Sequence, residues 1–492
     1  MWLRLFPSIF LCIFHLFIPK IALAQKFVTD NRFQKVVNNF AEDTELFTAS
    51  VGIGIIDLQT GNIVASYNPN KALIPASSLK IFSTAALISE VGAEYQYRTD
   101  FILEGKTNFE GEFNGRLQIE PSIDPSFCSP DQFGALPFEN LADTLAGLLM
   151  KSGIKKIRGQ ITVNRDLITD IPENTEWLWY DLGNYYGAGC YSLNFMENAV
   201  KIYLQEQTRS GKICDIVKVI PSILEDNYCS EVRSSVYKSD ESLFVLGSSQ
   251  DDIYTVHGDI LCCGRDTVGL KAAMRQPESV FVRMLISALK KRGIQVILDK
   301  VVDTPDDVEV LIYQYISPSL WAIADRALKK SVNLYCESFL HTFGMKKNQT
   351  SKRKDALIAL SQFWGSAGID TRGLNFEDGS GLSPKNSATP LQLAQALLWT
   401  NQNEKTRYFY KLLPDVANEG TLAGEMNKYR LSKGKLRLKS GSMERVRSYC
   451  GYLMNNDKPT HAVALIVNNY SCSSDTVRKK IGSLMSGLLK YN

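Results

Sequence analysis

Histidine is scarce in this chain: four in 492 residues, at His15, His257, His341 and His461, none close in sequence to another. A serine–histidine or cysteine–histidine catalytic pair has little to draw on, since a lone histidine is more often structural than reactive. There is no Cys-x-x-Cys pattern and no histidine pair at metal-ligand spacing, so no zinc site is expected and no cofactor is implied. Charge of one sign is also missing. Lys+Arg number 55 against Asp+Glu 52, a formal net charge of +3 without a dense basic tract, which removes the electrostatic reason to expect nucleic acid as a partner. Beyond the first two dozen residues no apolar run is long enough to span a bilayer. There is no internal repeat and no low-complexity tract.

The exception is the N-terminus. Arg4 precedes a mostly apolar stretch from Leu5 to Pro19, and Ile21-Ala22-Leu23-Ala24 follows. A basic start, a short apolar core and an Ala-x-Ala end describe a secretory signal peptide over residues 1–24. Its removal leaves nine cysteines: Cys128, Cys190, Cys214, Cys229, Cys262, Cys263, Cys336, Cys450 and Cys472. An oxidising compartment permits disulfides, but an odd number cannot all pair within one chain. Cys214 with Cys229 is a plausible hairpin bridge.

Residues 50–67 read as a hairpin turning at Thr60-Gly61-Asn62. The C-terminus alternates at Leu436 and Leu438, continues with strand-like runs Tyr449–Met454 and His461–Val467, and ends in a helix over about 475–490. Strands at both ends with helices between them predict an α/β multidomain fold with one sheet assembled from the two termini, 25–95 and 310–492. Residues 96–309 are rich in strand-like segments, with one clear helix from Pro277 to Arg292 stopped by Gly293. They read as an inserted α/β module of two subdomains.

Pro75-Ala76-Ser77-Ser78-Leu79-Lys80 opens an apolar helical run. At i and i+3 the serine and the lysine share a helix face. A lysine whose amine is neutral can take the serine's proton, and burial or nearby positive charge depresses a lysine pKa. The pattern alone is weak: an N-capping serine is common, and Ser-x-x-Lys recurs at Ser152, Ser235, Ser351 and Ser432. Order supplies the rest. Ser331-Val332-Asn333 falls in a break between two predicted helices, and Lys439-Ser440-Gly441 ends an alternating strand. Other copies, at Ser66, Ser192 and Lys151, fall in a return strand, in the inserted module and at a helix end.

The order Ser-x-x-Lys, Ser-x-Asn, Lys-(Ser/Thr)-Gly resembles the penicillin-binding proteins and serine β-lactamases. Ile74 to Lys80, the 254-residue gap from Ser77 to Ser331, and the loop Asp378-Gly379-Ser380-Gly381-Leu382-Ser383 narrow the resemblance. They are similar to the D-alanyl-D-alanine carboxypeptidase/endopeptidase family, the class C low-molecular-mass penicillin-binding proteins. Tyr186-Gly187-Ala188, Ser192-Leu193-Asn194 and Glu197-Asn198 resemble that family's middle region. Two departures stand out. Ser122-Ile123-Asp124-Pro125-Ser126-Phe127 replaces the usual glycine run before Asp-Pro-Thr-Leu, and the third motif carries Ser440 where threonine is more usual.

The resemblance implies a β-lactamase/transpeptidase-like domain and acyl transfer through a serine ester, with Ser77 as nucleophile and Lys80 as its base. Lys439 would help keep Lys80 deprotonated, Ser331 would pass a proton to the leaving amine, and Asn333 would hold the substrate amide. Ser440 with Lys439 would bind the terminal carboxylate, in a strand that Gly441 continues. The backbone N–H groups of Ser77 and Ser442 would form an oxyanion hole. Asp124 would read a basic side chain if its loop reaches the cleft. The implied substrates are peptidoglycan stem peptides ending in D-Ala-D-Ala, with β-lactam antibiotics as covalent inhibitors, in the periplasm or cell envelope. A β-lactamase-like hydrolase and a non-catalytic cell-wall binding protein are the alternatives. Against the first stands the length of the chain; against the second, the presence of every motif residue.

Overall fold

The structure is a computed structural model that describes residues 26–237, 243–262, 266–300, 308–420 and 433–492. The expected signal segment, residues 1–24, and Cys263 lie outside the described residues. Among the described residues no helix is long and apolar enough to cross a membrane.

The two chain ends build one antiparallel sheet. Its order is Leu436–Met443, Val446–Asn455, Lys458–Asn468, Ser50–Asp57, Ile63–Tyr67, so the first strand of the chain pairs with the last. Ile53 opposes Leu465 and Ile55 opposes Val463. Alternation gives the sheet two apolar faces. On one, Ile53, Ile55, Leu465 and Val467 pack with Phe33 and Val37 of the helix Asn31–Ala41 and Ile481 of the helix Ser474–Leu489. On the other, Cys450, Ala464 and Ile466 meet a helical body of Lys80–Val91, Leu320–Lys329, Asn333–Asn348, Arg353–Ser366 and Pro390–Gln402. The last helix starts as its sequence predicts, with Pro390 in the first turn and a reciprocal capping box between Thr389 and Gln392. The strand Leu436–Met443 lies at the sheet edge, against the turn that carries Ser77.

The inserted module has its own core, from Phe101 to Tyr315. Its main sheet runs Gln295–Leu298, Lys156–Val163, Glu112–Glu120, Arg98–Thr107, Val308–Ile316. Three smaller sheets between Ala199 and Ala273 share the same apolar cluster, so the two subdomains expected are two sheet regions around one core. The boundary expected at 309/310 moves. Val308–Ile316 pairs with Arg98–Thr107, Ile316 against Arg98, so the module runs from 98 to 316 and closes where it opened. The strand hid in the sequence because it is an edge strand: Val308, Val310 and Leu311 are all exposed, and a bulge near Leu311 breaks the period-2 pattern.

The Cys214–Cys229 bridge does not form, and every cysteine among the described residues is free. Cys214 is buried, whereas Cys229 is exposed with Sγ 3.3 Å from Thr255 Oγ1. Cys214 N–H donates to Val232 O.

Candidate active site

Ser77 sits in a tight 3-10 turn, Ala76–Leu79, that runs straight into the helix Lys80–Val91. Ala76 enters the turn at φ +45° and Ser331, across the cleft, has φ +57°. Alanine and serine rarely adopt such angles, and each costs about 1–3 kcal/mol unless the surroundings impose it. The surroundings here are close-packed. Gly441 passes so near the turn that a Cβ would lie 2.9 Å from Ser77 N and 2.6 Å from Pro75 O. Gly381, at φ +80°, packs its loop directly on the carbonyl of Ala76.

Lys80 is fully buried, and none of its hydrogen-bond partners among the described residues is a carboxylate. Its Nζ contacts Ser77 Oγ at 2.9 Å, Asn333 Oδ1 at 2.6 Å and Ser380 O at 2.6 Å. The last two groups only accept. Asn333 is oriented by its Nδ2, which donates to Tyr186 O at 2.8 Å. A neutral amine has two N–H bonds and one lone pair. Spending both N–H bonds on Asn333 and Ser380 leaves the lone pair for the Ser77 hydroxyl proton. Burial lowers the Lys80 pKa, against the opposing pull of Cys336, Asp378 and Glu337.

Lys439 is the second buried cation. Its Nζ donates to Ser331 Oγ at 2.9 Å and to Ser440 O at 2.6 Å. Burial first, then the charge of Lys80, lowers its pKa to about 7. Two sets of contacts result, Ser77 and Asn333 on Lys80, and Ser331 on Lys439, and the two lysines are near enough for the charge of one to act on the other. Ser440 and Ser442 follow along the same edge strand, Ser440 half-buried and Ser442 exposed. The Ser442 hydroxyl is held by Arg447, opposite it on the neighbouring strand.

Asp124 lies in the inserted module. It is 2% exposed, and Oδ1 accepts from Ser126 N–H at 2.8 Å and Ser126 Oγ at 2.6 Å. Burial raises its pKa to about 6. The Asp-Pro pair makes a buried turn, with Asp124 Oδ1 bonded to Ser126 and Oδ2 buried without a hydrogen-bond partner among the described residues. The segment of the inserted module that does adjoin Asn333 is 177–186. It carries the half-buried Asp181, whose pKa burial raises. Several groups in this shell act through atoms no motif reports: the carbonyls of Tyr186 and Ser380, and the Trp177 indole. Glu337, pushed up to about 7 by burial and then by Asp378, lies one turn from Asn333 and accepts from Gly379 N–H at 3.1 Å. Its helical spacing was the available signal.

The profile of the D-Ala-D-Ala carboxypeptidase 3 (S13) family matches residues 33–491. The chain belongs to this family. It is a serine-peptidase-type hydrolase by that membership, and the motif order anticipated the result. Relatives include the D-alanyl-D-alanine carboxypeptidase DacB of Haemophilus influenzae, 23% identical over 88% of this chain and 88% of that protein. The penicillin-sensitive carboxypeptidase A of Dictyostelium discoideum is 24% identical over 87% of this chain and 84% of its own length. Among solved structures, penicillin binding protein 4 (dacB) from Haemophilus influenzae superposes with a TM-score of 0.77 at 22% identity, covering 92% of this chain and 99% of that one. The fold of that structure is therefore the fold of this chain.

Proposed function

We propose that this S13 protein is a serine-type D,D-carboxypeptidase that removes the terminal D-alanine from peptidoglycan stem peptides. The observation that carries the reading is Lys80 Nζ at 2.9 Å from Ser77 Oγ, with its other two contacts made to pure acceptors. Ser77 Oγ attacks the carbonyl carbon of the penultimate D-alanine as its proton passes to Lys80 Nζ. The N–H groups of Ser77 and Ser442 receive the oxyanion, each such donor being worth about 3–4 kcal/mol of barrier. The proton on Lys80 then passes by way of the Ser331 hydroxyl, in contact with Lys439, to the departing amine; D-alanine leaves, and Lys80 is again a neutral amine. Water then attacks the ester, returning its proton through Lys80 and freeing Ser77. The terminal carboxylate lies along Ser440 and Ser442, with Lys439 and Arg447 behind them as positive charge. Asn333 holds the substrate amide. The site of action is the cell envelope outside the cytoplasmic membrane, with β-lactams as acylating inhibitors.

The test is labelling with a tagged penicillin together with release of free D-alanine from a D-Ala-D-Ala peptide. Wild type labels and releases D-alanine, and Ser77→Ala does neither. Undiminished labelling of that variant sinks the assignment. Fast release of hydrolysed penicillin would instead mark a β-lactamase. Cleavage of a D,D-cross-linked dimer in the same assay would add an endopeptidase activity.

A further inference from the structure

The loop Asp378–Ser383 delivers the Ser380 carbonyl to Lys80, and it is held from two sides. The catalytic body holds it through Ser83 Oγ to Gly379 O, 2.7 Å, and Gly379 N–H to Glu337 Oε1, 3.1 Å. Asp378, fully buried, folds the loop from within: Oδ1 accepts from Gly381 N–H at 2.7 Å and Asn386 Nδ2 at 2.9 Å, and Oδ2 from Ser383 N–H at 2.6 Å. The fourth donor comes from the inserted module. Trp177 Nε1 donates to Asp378 Oδ2 at 2.9 Å, and Asn174 Nδ2 donates to Glu377 O at 2.5 Å just before the loop.

We propose that Trp177 is a positioning residue for Lys80: its indole N–H fixes Asp378, Asp378 fixes the loop, and the loop fixes the carbonyl that aims the Lys80 lone pair at Ser77. The inserted module then takes part in catalysis without touching the reacting atoms. The inference rests on the reading of Lys80 as base. Its chemical logic is directional. If Ser380 O drifts, an amine N–H loses its acceptor and the lone pair is free to rotate away from the Ser77 hydroxyl. The ammonium loses an acceptor too, which disfavours the charged form.

The experiment is Trp177→Phe in the full chain, which keeps an aromatic ring and removes the N–H. Rates of acylation by a tagged penicillin are followed against pH and normalised to the titratable fraction. The expected result is a limiting rate lower by about 10-fold, within the range that misplacing a reacting group by up to 1 Å produces. The acid limb moves to lower pH, and non-covalent binding of the penicillin is unchanged. Asn174→Ala shifts both quantities the same way by less, and decides the matter if Trp177→Phe yields no titratable protein. Hydrogen exchange over 378–383, faster in Trp177→Phe, reads the tether independently of any acylation. Wild-type rate, limb and exchange in the variant overturn the inference. Failure of wild type itself to acylate overturns the functional reading and leaves the exchange result to judge the tether.

Discussion

Two buried cationic centres lie on the same helical body, and they are treated in opposite ways. Arg326, where the inserted module meets the helix Leu320–Lys329, is given a carboxylate: Nε and Nη2 bind the Glu197 oxygens at 2.6 and 2.9 Å. Glu197 is 7% exposed and takes further bonds from Tyr335 Oη at 2.9 Å and Ser129 Oγ at 2.7 Å. Lys80 and Lys439 are more deeply buried, yet their direct partners are hydroxyls, carbonyls and an amide oxygen. A guanidinium with a bidentate partner stays charged and fastens two units together. An ammonium denied a carboxylate contact is pressed toward the neutral amine. The difference separates a structural cation from a reactive one, and it lies in the partner, since both kinds are buried.

The largest effect expected is on rate. Lys80→Met removes the base, and acylation of Ser77 falls by about 10²–10⁴-fold, or roughly 3–5 kcal/mol of barrier. The urea midpoint stays near that of wild type, because an apolar side chain in place of a fully desolvated amine offsets the loss of partners for Asn333 and Ser380. A variant that acylates within a few-fold of wild type would erase the distinction. Arg326→Met is the reverse case. It strands the Glu197 carboxylate in the interior and lowers stability by about 3–5 kcal/mol, read as a fall in the urea midpoint, while the molecules that remain folded still acylate. A midpoint shift no larger than that of Lys80→Met would show that the two centres do not differ as their contacts say.

Tyr335→Phe is a finer cut through the same centre. It deletes one of the hydrogen bonds on Glu197 and leaves the ion pair intact, so the expected loss is about 1.5–3 kcal/mol, the range for a bond to a charged group. Tyr335 follows Asn333 by two residues on the helix Asn333–Asn348. Acylation measured beside stability shows whether the clamp is purely structural. A change in the rate per titratable site would mean that its hold extends to Asn333.

These contrasts also explain what could be read from the sequence. The meeting of Ser77 with Lys80 and Asn333, and of Ser331 with Lys439, could be expected because the three motifs name side chains of definite type, in an order that secondary structure respects. The sheet made from both termini was legible because its strands are buried and periodic. The strand Val308–Ile316 was not, because an exposed edge shows no alternation. Nor were the contributions of Tyr186 and Ser380, which act through carbonyls that every residue possesses. Asp124 shows the same limit: an acidic residue beside proline reads equally as a ligand or a turn, and its burial is visible only in the fold.

The smallest effect expected is a slope. Lys439 titrates near 7 in the folded protein, against 10.5 for an unperturbed lysine. Below about pH 7 it is charged in both states and the burial cost is felt in full. Between about 7 and 10.5 the unfolded chain holds a proton that the folded chain has released, so folding stability rises with pH. A single group contributes at most about 1.4 kcal/mol per pH unit. Lys439→Met removes this contribution but keeps those of Lys80, Cys336 and Cys450, which surround it. The stability of the variant relative to wild type is therefore greatest near neutrality and declines as pH rises, seen in paired urea titrations at neutral and alkaline pH. Arg326→Met, charged in both states across this range, leaves the slope as it is. Parallel wild-type and Lys439→Met profiles would show that Lys439 keeps its proton as firmly as Arg326 does, and that a missing carboxylate is not what makes the catalytic pair reactive.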